Sequence, residues 1–256
     1  MEYGQVSWKP EPGHADWGSL IARAERGLRR QGLPPENEVR LRYWLGLALI
    51  ETGDLYRAEQ EWNRLLVLSR EVGAKSEMEA EALYRLGQVH RLLRRPDQAV
   101  AAFREAARRY RRTGQGERAA RCHGEAGWTL LTAGRAEEAL PELEAAEAGL
   151  GQRERSDLGR DLGVARALYL SLIGEREASD RLCLSLLDQP PLRAGQRAEI
   201  AWILGCNALA AGDHVTADLH AAIAHEYALE AWWPPQMERV EGLRRRVASA
   251  AAGSRL

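Results

Sequence analysis

Apolar residues in this chain recur three and four positions apart in stretches of several helical turns, separated by short polar breaks. Leu83, Leu86, Gly87 and His90 share one helical face, so the stretch around them reads as an amphipathic helix. Asp16 to Arg30 reads the same way, with Asp16 as N-cap and Leu20, Ile21, Ala24 and Leu28 on one face. Gln31-Gly32-Leu33-Pro34-Pro35 then breaks the chain, and Trp232-Trp233-Pro234-Pro235 breaks it again. Between Met237 and Ala248 the pattern predicts a closing helix with a polar outer face. The first fifteen residues, rich in Gly and Pro, predict a flexible arm.

The helical pattern itself repeats. Leu45-Gly46 is followed by Gly53-Asp54, Ala58 and Trp62, and Leu86-Gly87 by Arg94-Arg95, Ala99, Phe103 and Ala106. Ala126-Gly127 is followed by Gly134-Arg135, Ala139, Leu143 and Ala146, and Leu204-Gly205 by Gly212-Asp213, Ala217, Ala221 and Ala224. A weaker copy lies around Ala167, Gly174 and Ala178, its alanine displaced by one residue. The aligned positions 46, 87, 127, 167 and 205 are 41, 40, 40 and 38 residues apart. Each copy predicts two helices. The small residue on the first lets the second approach, with the early alanine of the second as the expected contact. The Gly-Asp pair ends one helix and caps the next. One such pair cannot bury its apolar face alone, so the copies must stack.

These residues resemble the tetratricopeptide repeat (TPR) family over roughly residues 37–230. Three departures stand out. The positions where the family carries a Trp on the first helix hold Arg42, Leu83, His123, Gly163 and Ala201. Arg94-Arg95 replaces the turn glycine pair in the second copy. The repeat is longer than the common 34 residues. Repeats of this length look like those of bacterial peptide-sensing regulators and some cytoskeletal adaptors. The resemblance implies an all-α, right-handed superhelical solenoid of about five helix pairs with a capping helix at each end. The expected division is a flexible arm at 1–15, one solenoid domain at 16–249 and a flexible tail at 250–256.

Charge and composition narrow the function. Lys and Arg total 36 and Asp and Glu 37, a net charge of -1, which argues against a dedicated nucleic-acid binder. Apolar residues make up 45%, enough for a core. Cys122, Cys183 and Cys206 are an odd number with no CxxC, which fits a reducing compartment better than a disulfide framework. Met1-Glu2-Tyr3-Gly4 has neither a basic nor an apolar leader segment, and no run is long enough to span a membrane. The expectation is a cytoplasmic protein.

Candidate catalytic residues do not converge. His214, His220 and His225 lie close in sequence, but 220 and 225 are five apart and fall on different helix faces, so no metal site is expected. Cys122 and His123 are neighbours on a helix and point about 100° apart, poorly placed to share a proton. His123 takes a core-facing repeat position. Ser156-Asp157 and Ser179-Asp180 read as cap or surface pairs, and Arg108-Arg109-Tyr110-Arg111-Arg112 as a solvated helix end. No nucleotide, serine-hydrolase or zinc-protease motif occurs. No catalysis, cofactor or metal is expected.

What remains is binding. In TPR arrays the first helices line a concave groove, and the resemblance carries groove-facing positions onto Arg40, Tyr43, Leu47, Tyr84, Gln88, Arg91, Arg121, Trp128, Trp202 and Cys206. Aromatics interleaved with arginines have the composition of binding hot spots. Leu47, Gln88 and Trp128 stand where chaperone-binding relatives need an asparagine for their carboxylate clamp, so that mode is not expected. The expected ligand is a protein or peptide segment, acidic toward the second and third repeats, in a scaffold or a peptide-responsive sensor. Neither nucleic acid nor membrane is an expected partner, and a homo-oligomer remains open.

Overall fold

The computed structural model describes residues 16–71, 76–151, 156–189, 191–231 and 234–253. Those residues form helices joined by short turns: α1 (Trp17–Leu28), α2 (Pro35–Glu51), α3 (Leu55–Glu71), α4 (Ser76–Leu92), α5 (Pro96–Arg112) and α6 (Gly116–Thr132), then α7 (Ala136–Leu150), α8 (Asp157–Leu172), α9 (Arg176–Leu187), α10 (Ala194–Ala210), α11 (His214–Ala231) and α12 (Pro234–Gly253). Helices α2/α3, α4/α5, α6/α7, α8/α9 and α10/α11 are the five expected pairs, and each packs on its sequence neighbours. The first helices α6, α8 and α10 also touch one another in turn, and α12 touches α10. The expected arm at 1–15 lies outside the described residues. Helix α12 runs to Gly253, past the expected boundary at 249.

Local chemistry sets the helix ends. Asp16 caps α1 by accepting from the Ser19 amide at 3.0 Å, and Ser156 caps α8 by accepting from Gly159 at 3.1 Å. The turn in the third pair uses Gly134 at φ 76°, a left-handed conformation that glycine takes without a Cβ clash. The second pair makes the same turn with Arg94 at φ 57°. Its amide bonds to the Arg91 carbonyl and that of Arg95 to the His90 carbonyl, closing a Schellman motif without glycine.

The contact that closes each of the first three pairs differs from the expected glycine–alanine crossing. A Cβ on Gly46 would lie 2.7 Å from the Trp62 ring, one on Gly87 2.6 Å from Phe103, and one on Gly127 2.8 Å from Leu143. The glycine makes room for the large residue sixteen positions later, while Ala58, Ala99 and Ala139 fill the remaining fully buried space. In the fourth copy the place of that alanine is taken by Ser179, twelve residues after Ala167 as in the other copies, so nothing is displaced. Ser179 is fully buried, not a surface residue, and its hydroxyl donates to the Ala167 carbonyl at 2.8 Å.

The missing tryptophans are replaced in two copies by a polar side chain paired with a buried glutamate. Arg42 donates to Glu61 at 2.5 Å, and His123 Nδ1 lies 2.7 Å from Glu142. Glu61 and Glu142 hold the same repeat position, fifteen residues after the glycine, and both are buried. In these pairs a polar contact replaces an aromatic one across the same helix crossing.

Candidate partner-binding groove

The first helices carry their half-buried aromatic and arginine side chains into two neighbouring clefts. The first, of about 630 Å³, lies among α2, α4, α5 and α6 and includes Tyr43, Tyr84, Arg85, Tyr110 and Arg121. The second, of about 470 Å³, lies among α4, α6, α8 and α10. Arg91, Arg121, Trp128, Asp161, Arg193 and Glu199 surround it, over an apolar floor of Leu158, Leu162, Val164 and Ala165. Apolar floors with a few polar groups are usual in ligand sites of this size. Arg121 borders both clefts.

Of the ten groove residues expected from the sequence, the clefts therefore gather Tyr43, Tyr84, Arg91, Arg121 and Trp128. Gln88 sits behind them, donating to the Tyr84 hydroxyl at 3.2 Å and accepting from Arg85 at 3.0 Å. Tyr43 and Tyr84 also serve the core: Tyr43 meets Trp62 edge-on at 5.4 Å, and Tyr84 lies 5.7 Å from Phe103. Leu47 packs on the N-terminal core, and Arg40 is exposed outside both clefts.

Trp202 and Cys206 face α12 instead of an open groove. Arg239 of α12 places its guanidinium 5.5 Å from the Trp128 ring centre and 5.8 Å from that of Trp202. It also pairs with Glu199. Cys206 packs beside the cluster of Leu243 and Val247. Farther along, Glu238 of α12 pairs with Arg94 at the α4–α5 turn, so the closing helix reaches back to the second repeat. Gln236, 3% exposed, donates to the Gly195 carbonyl at 2.7 Å and forms the end wall of the second cleft. Sequence reading missed Gln236, Glu238 and Arg239. No local pattern marks them, because their role depends on how α12 folds back on α10.

The electrostatics are those of a matched surface. Arg91 pairs with Glu125 at 3.4 Å, and Arg193 grips Asp161 through both oxygens at 2.6 and 2.8 Å. Burial raises the Asp161 and Glu199 carboxyls above their usual range despite these arginines. Burial also pushes the Tyr84 phenol up, helped by Glu125, whose carboxylate accepts from the Tyr84 hydroxyl at 3.3 Å. Charges of both signs interleave around the second cleft.

The other candidates have structural partners. Burial pushes the Cys183 thiol up to about 12 and Cys206 up to about 11, and raises Cys122 as well, so all three are thiols near neutrality. His123 lies between Glu142 and Arg111, the latter at 3.1 Å. The basic run is less solvated than expected. Tyr110 is buried and donates to Glu81 at 2.7 Å, while Arg109 pairs with Glu79 at 3.2 Å. His220 lies against the α10 backbone, its Cβ 3.4 Å from where a Gly205 Cβ would stand. Among the described residues, no three His, Cys, Asp or Glu side chains gather as a metal site would require. No helix among them is long and apolar enough to cross a membrane.

Residues 38–112, covering the first two pairs, match the family model for the tetratricopeptide repeat. These two pairs are tetratricopeptide repeats. No curated protein matches the chain. Among solved structures it is similar to BtubC (BKLC) from P. vanneervenii, with 15% identity, a TM-score of 0.63, and coverage of 85% of this chain and 93% of that one. It is also similar to NprR in complex with its cognate peptide NprX, at 14% identity and a TM-score of 0.64, covering 91% and 67% of the two chains. A thermophilic TPR protein of Thermus thermophilus, TTC0263, matches at 23% identity and a TM-score of 0.56, over 86% of this chain and all of that one. At these identities the likeness is one of fold, and it extends the TPR architecture beyond the two pairs that the family model covers.

Proposed function

We propose that this protein is a non-catalytic scaffold that holds an extended protein or peptide segment along the inner face of α2, α4, α6 and α8. The observation that carries this reading is the sharing of Arg121 between two adjoining clefts, with Tyr84 on one side and Trp128 on the other. A segment running through both would set an acidic residue against Arg121 and an apolar one against Trp128. The bound stretch ends at α12, so Trp202 and Cys206 support the wall while Tyr43, Tyr84, Arg91, Arg121 and Trp128 form the surface and Gln88 holds Tyr84 from behind. Arg40 and Leu47 flank its start. Protonated thiols and a fully engaged His123 support a role without catalysis or cofactor.

A second reading makes the protein the sensor of a short peptide, acting on or detached from a separate regulator. The second cleft favours it: about 470 Å³, with an end wall, is the scale of a ligand pocket more than of an open track. Pull-down from native lysate followed by mass spectrometry identifies the partner, and titration of variants tests the groove. Trp128→Ala should weaken binding by about 2 kcal/mol or more if Trp128 is a hot spot. Arg91→Glu should weaken association, and because Arg91 is half-buried against Glu125 much of the loss should persist at high salt. Wild-type binding by both folded variants would move the partner to the convex face or a terminus.

A further inference from the structure

We propose that the second cleft is a subsite for a primary ammonium group, received by Glu199, on a segment whose carboxylate is received by Arg121. This deepens the groove reading above and rests on it. The argument starts from which groups in the cleft lack partners. Arg91 is matched by Glu125, and Arg193 by Asp161. Arg121 has no carboxylate partner among the described residues. On the acidic side Glu199, 9% exposed, gives one oxygen to Arg239 and lies beside Gln236 and Arg91, while its Oε2 is buried and makes no well-formed hydrogen bond. Arg91 Nε is likewise buried and unmatched. A buried polar group without a partner is costly, so a ligand that supplies one gains the difference.

The unmatched groups are thus a guanidinium, one further donor and one carboxylate oxygen. Their complements are a carboxylate, a carbonyl and a cationic donor, the set carried by a short peptide with an acidic residue. The single free oxygen suits an ammonium, a compact point charge, better than the two-pronged fork of a second guanidinium. Arg239 already holds the guanidinium place between Trp128 and Trp202. Burial holds the Glu199 carboxyl raised even beside Arg239 and Arg91, so a further donor on its Oε2 still stabilises the charged form.

The end wall is fixed. Val240, Leu243 and Val247 of α12 are almost wholly buried, so the helix is part of the core and does not swing aside to lengthen the groove. A segment threaded from the first cleft stops at Gln236. The ammonium can be the start of that segment or a lysine side chain near it.

The test is calorimetric titration with three tripeptides: Ala-Leu-Glu amide, its N-acetyl form, and N-acetyl-Lys-Leu-Glu amide. At least one ammonium-bearing peptide should bind about tenfold or more tighter than N-acetyl-Ala-Leu-Glu amide, as charged hydrogen bonds commonly do. Preference for the first assigns the chain start, and preference for the third a lysine. Glu199→Gln should bring all three within about twofold of one another, and Arg121→Gln should weaken each while keeping their order. If Glu199→Gln does not fold, the wild-type comparison decides alone. Equal binding of acetylated and free peptides overturns the ammonium site; if that binding is lost in Trp128→Ala, the groove reading stands without it. No binding of any peptide to the wild type also overturns the proposal.

Discussion

The first three helix pairs close on one large residue at the crossing, whereas the last two set small residues there and draw in addition on a neighbouring helix. In the former, Gly46, Gly87 and Gly127 each receive a large side chain from their own partner helix: Trp62, Phe103 and Leu143. In the latter, the equivalent positions set small against small, Ala167 with Cys183 and Gly205 with Ala221. The missing volume comes from other places. Within the fourth pair Leu186 of α9 presses on Gly163 of α8, and in the fifth Leu243 of α12 reaches the face of Gly205, with a Cβ there 2.8 Å away. A polar network also fills part of the space. Asn207 accepts from Ser171 at 2.5 Å and donates to Asp180 at 2.7 Å and Ser179 at 3.1 Å. The difference separates self-sufficient repeats from repeats that lean on the next helix, α10 for the fourth pair and the cap α12 for the fifth. The second cleft lies across the border, with Trp128 from the first kind and Glu199 from the second.

Removing the large residue should therefore hurt most where the pair depends on it alone. Trp62→Ala empties a fully buried site over Gly46 and should cost about 3–5 kcal/mol, read from the denaturant midpoint. Cys183→Ala, the same position in the fourth pair, should cost far less, because little volume is removed. Equal losses would break the contrast.

Leu243→Ala tests dependence on the cap. Leu243 is 1% exposed, and its truncation should cost about 2–5 kcal/mol. The loss should concentrate in α10–α12, seen as faster amide exchange there while α2–α5 keep their protection. Uniform loss along the chain would mean that the array unfolds as one unit and that the two regions are not energetically distinct. Gly127→Leu makes the opposite insult, adding bulk where Leu143 is fully buried and cannot retreat. Overpacking should cost about 1–3 kcal/mol. An unchanged melting temperature would remove Gly127 from the crossing.

The same contrast explains what could be read from the chain. Gly46, Gly87 and Gly127 with their spaced partners form a pattern within one repeat, so the number of pairs, their bounds and the half-buried aromatics were legible. The mistake about which residue meets the glycine was one of distance along the second helix: the alanines recur more visibly than Trp62, Phe103 and Leu143, which vary in kind. The cleft-lining positions were legible up to Trp128 because each first helix projects the same positions. Beyond it, Trp202 and Cys206 obey the same spacing but meet α12. Arg239 and Glu238 lie 111 and 144 residues from Trp128 and Arg94 along the chain, and no helical period links them.

The smallest expected effect is the most discriminating. Ser179→Ala gives the fourth copy the alanine that Ala58, Ala99, Ala139 and Ala217 provide in the others. A buried serine with two hydrogen bonds would ordinarily be expensive to lose, at about 1–3 kcal/mol when a partner is stranded. Here neither partner is stranded. The Ala167 carbonyl lies inside α8, where the helix supplies its own donor, and the Asn207 amide keeps Asp180 at 2.7 Å. The substitution should therefore cost no more than about 1 kcal/mol, the net worth of an ordinary hydrogen bond. Asn207→Ala, which strands Ser171 and Asp180 together, should cost distinctly more. If Ser179→Ala proves the costlier, the hydroxyl fixes the α8–α9 crossing in the way Trp62 fixes that of α2 and α3, and the fourth pair belongs with the self-sufficient repeats.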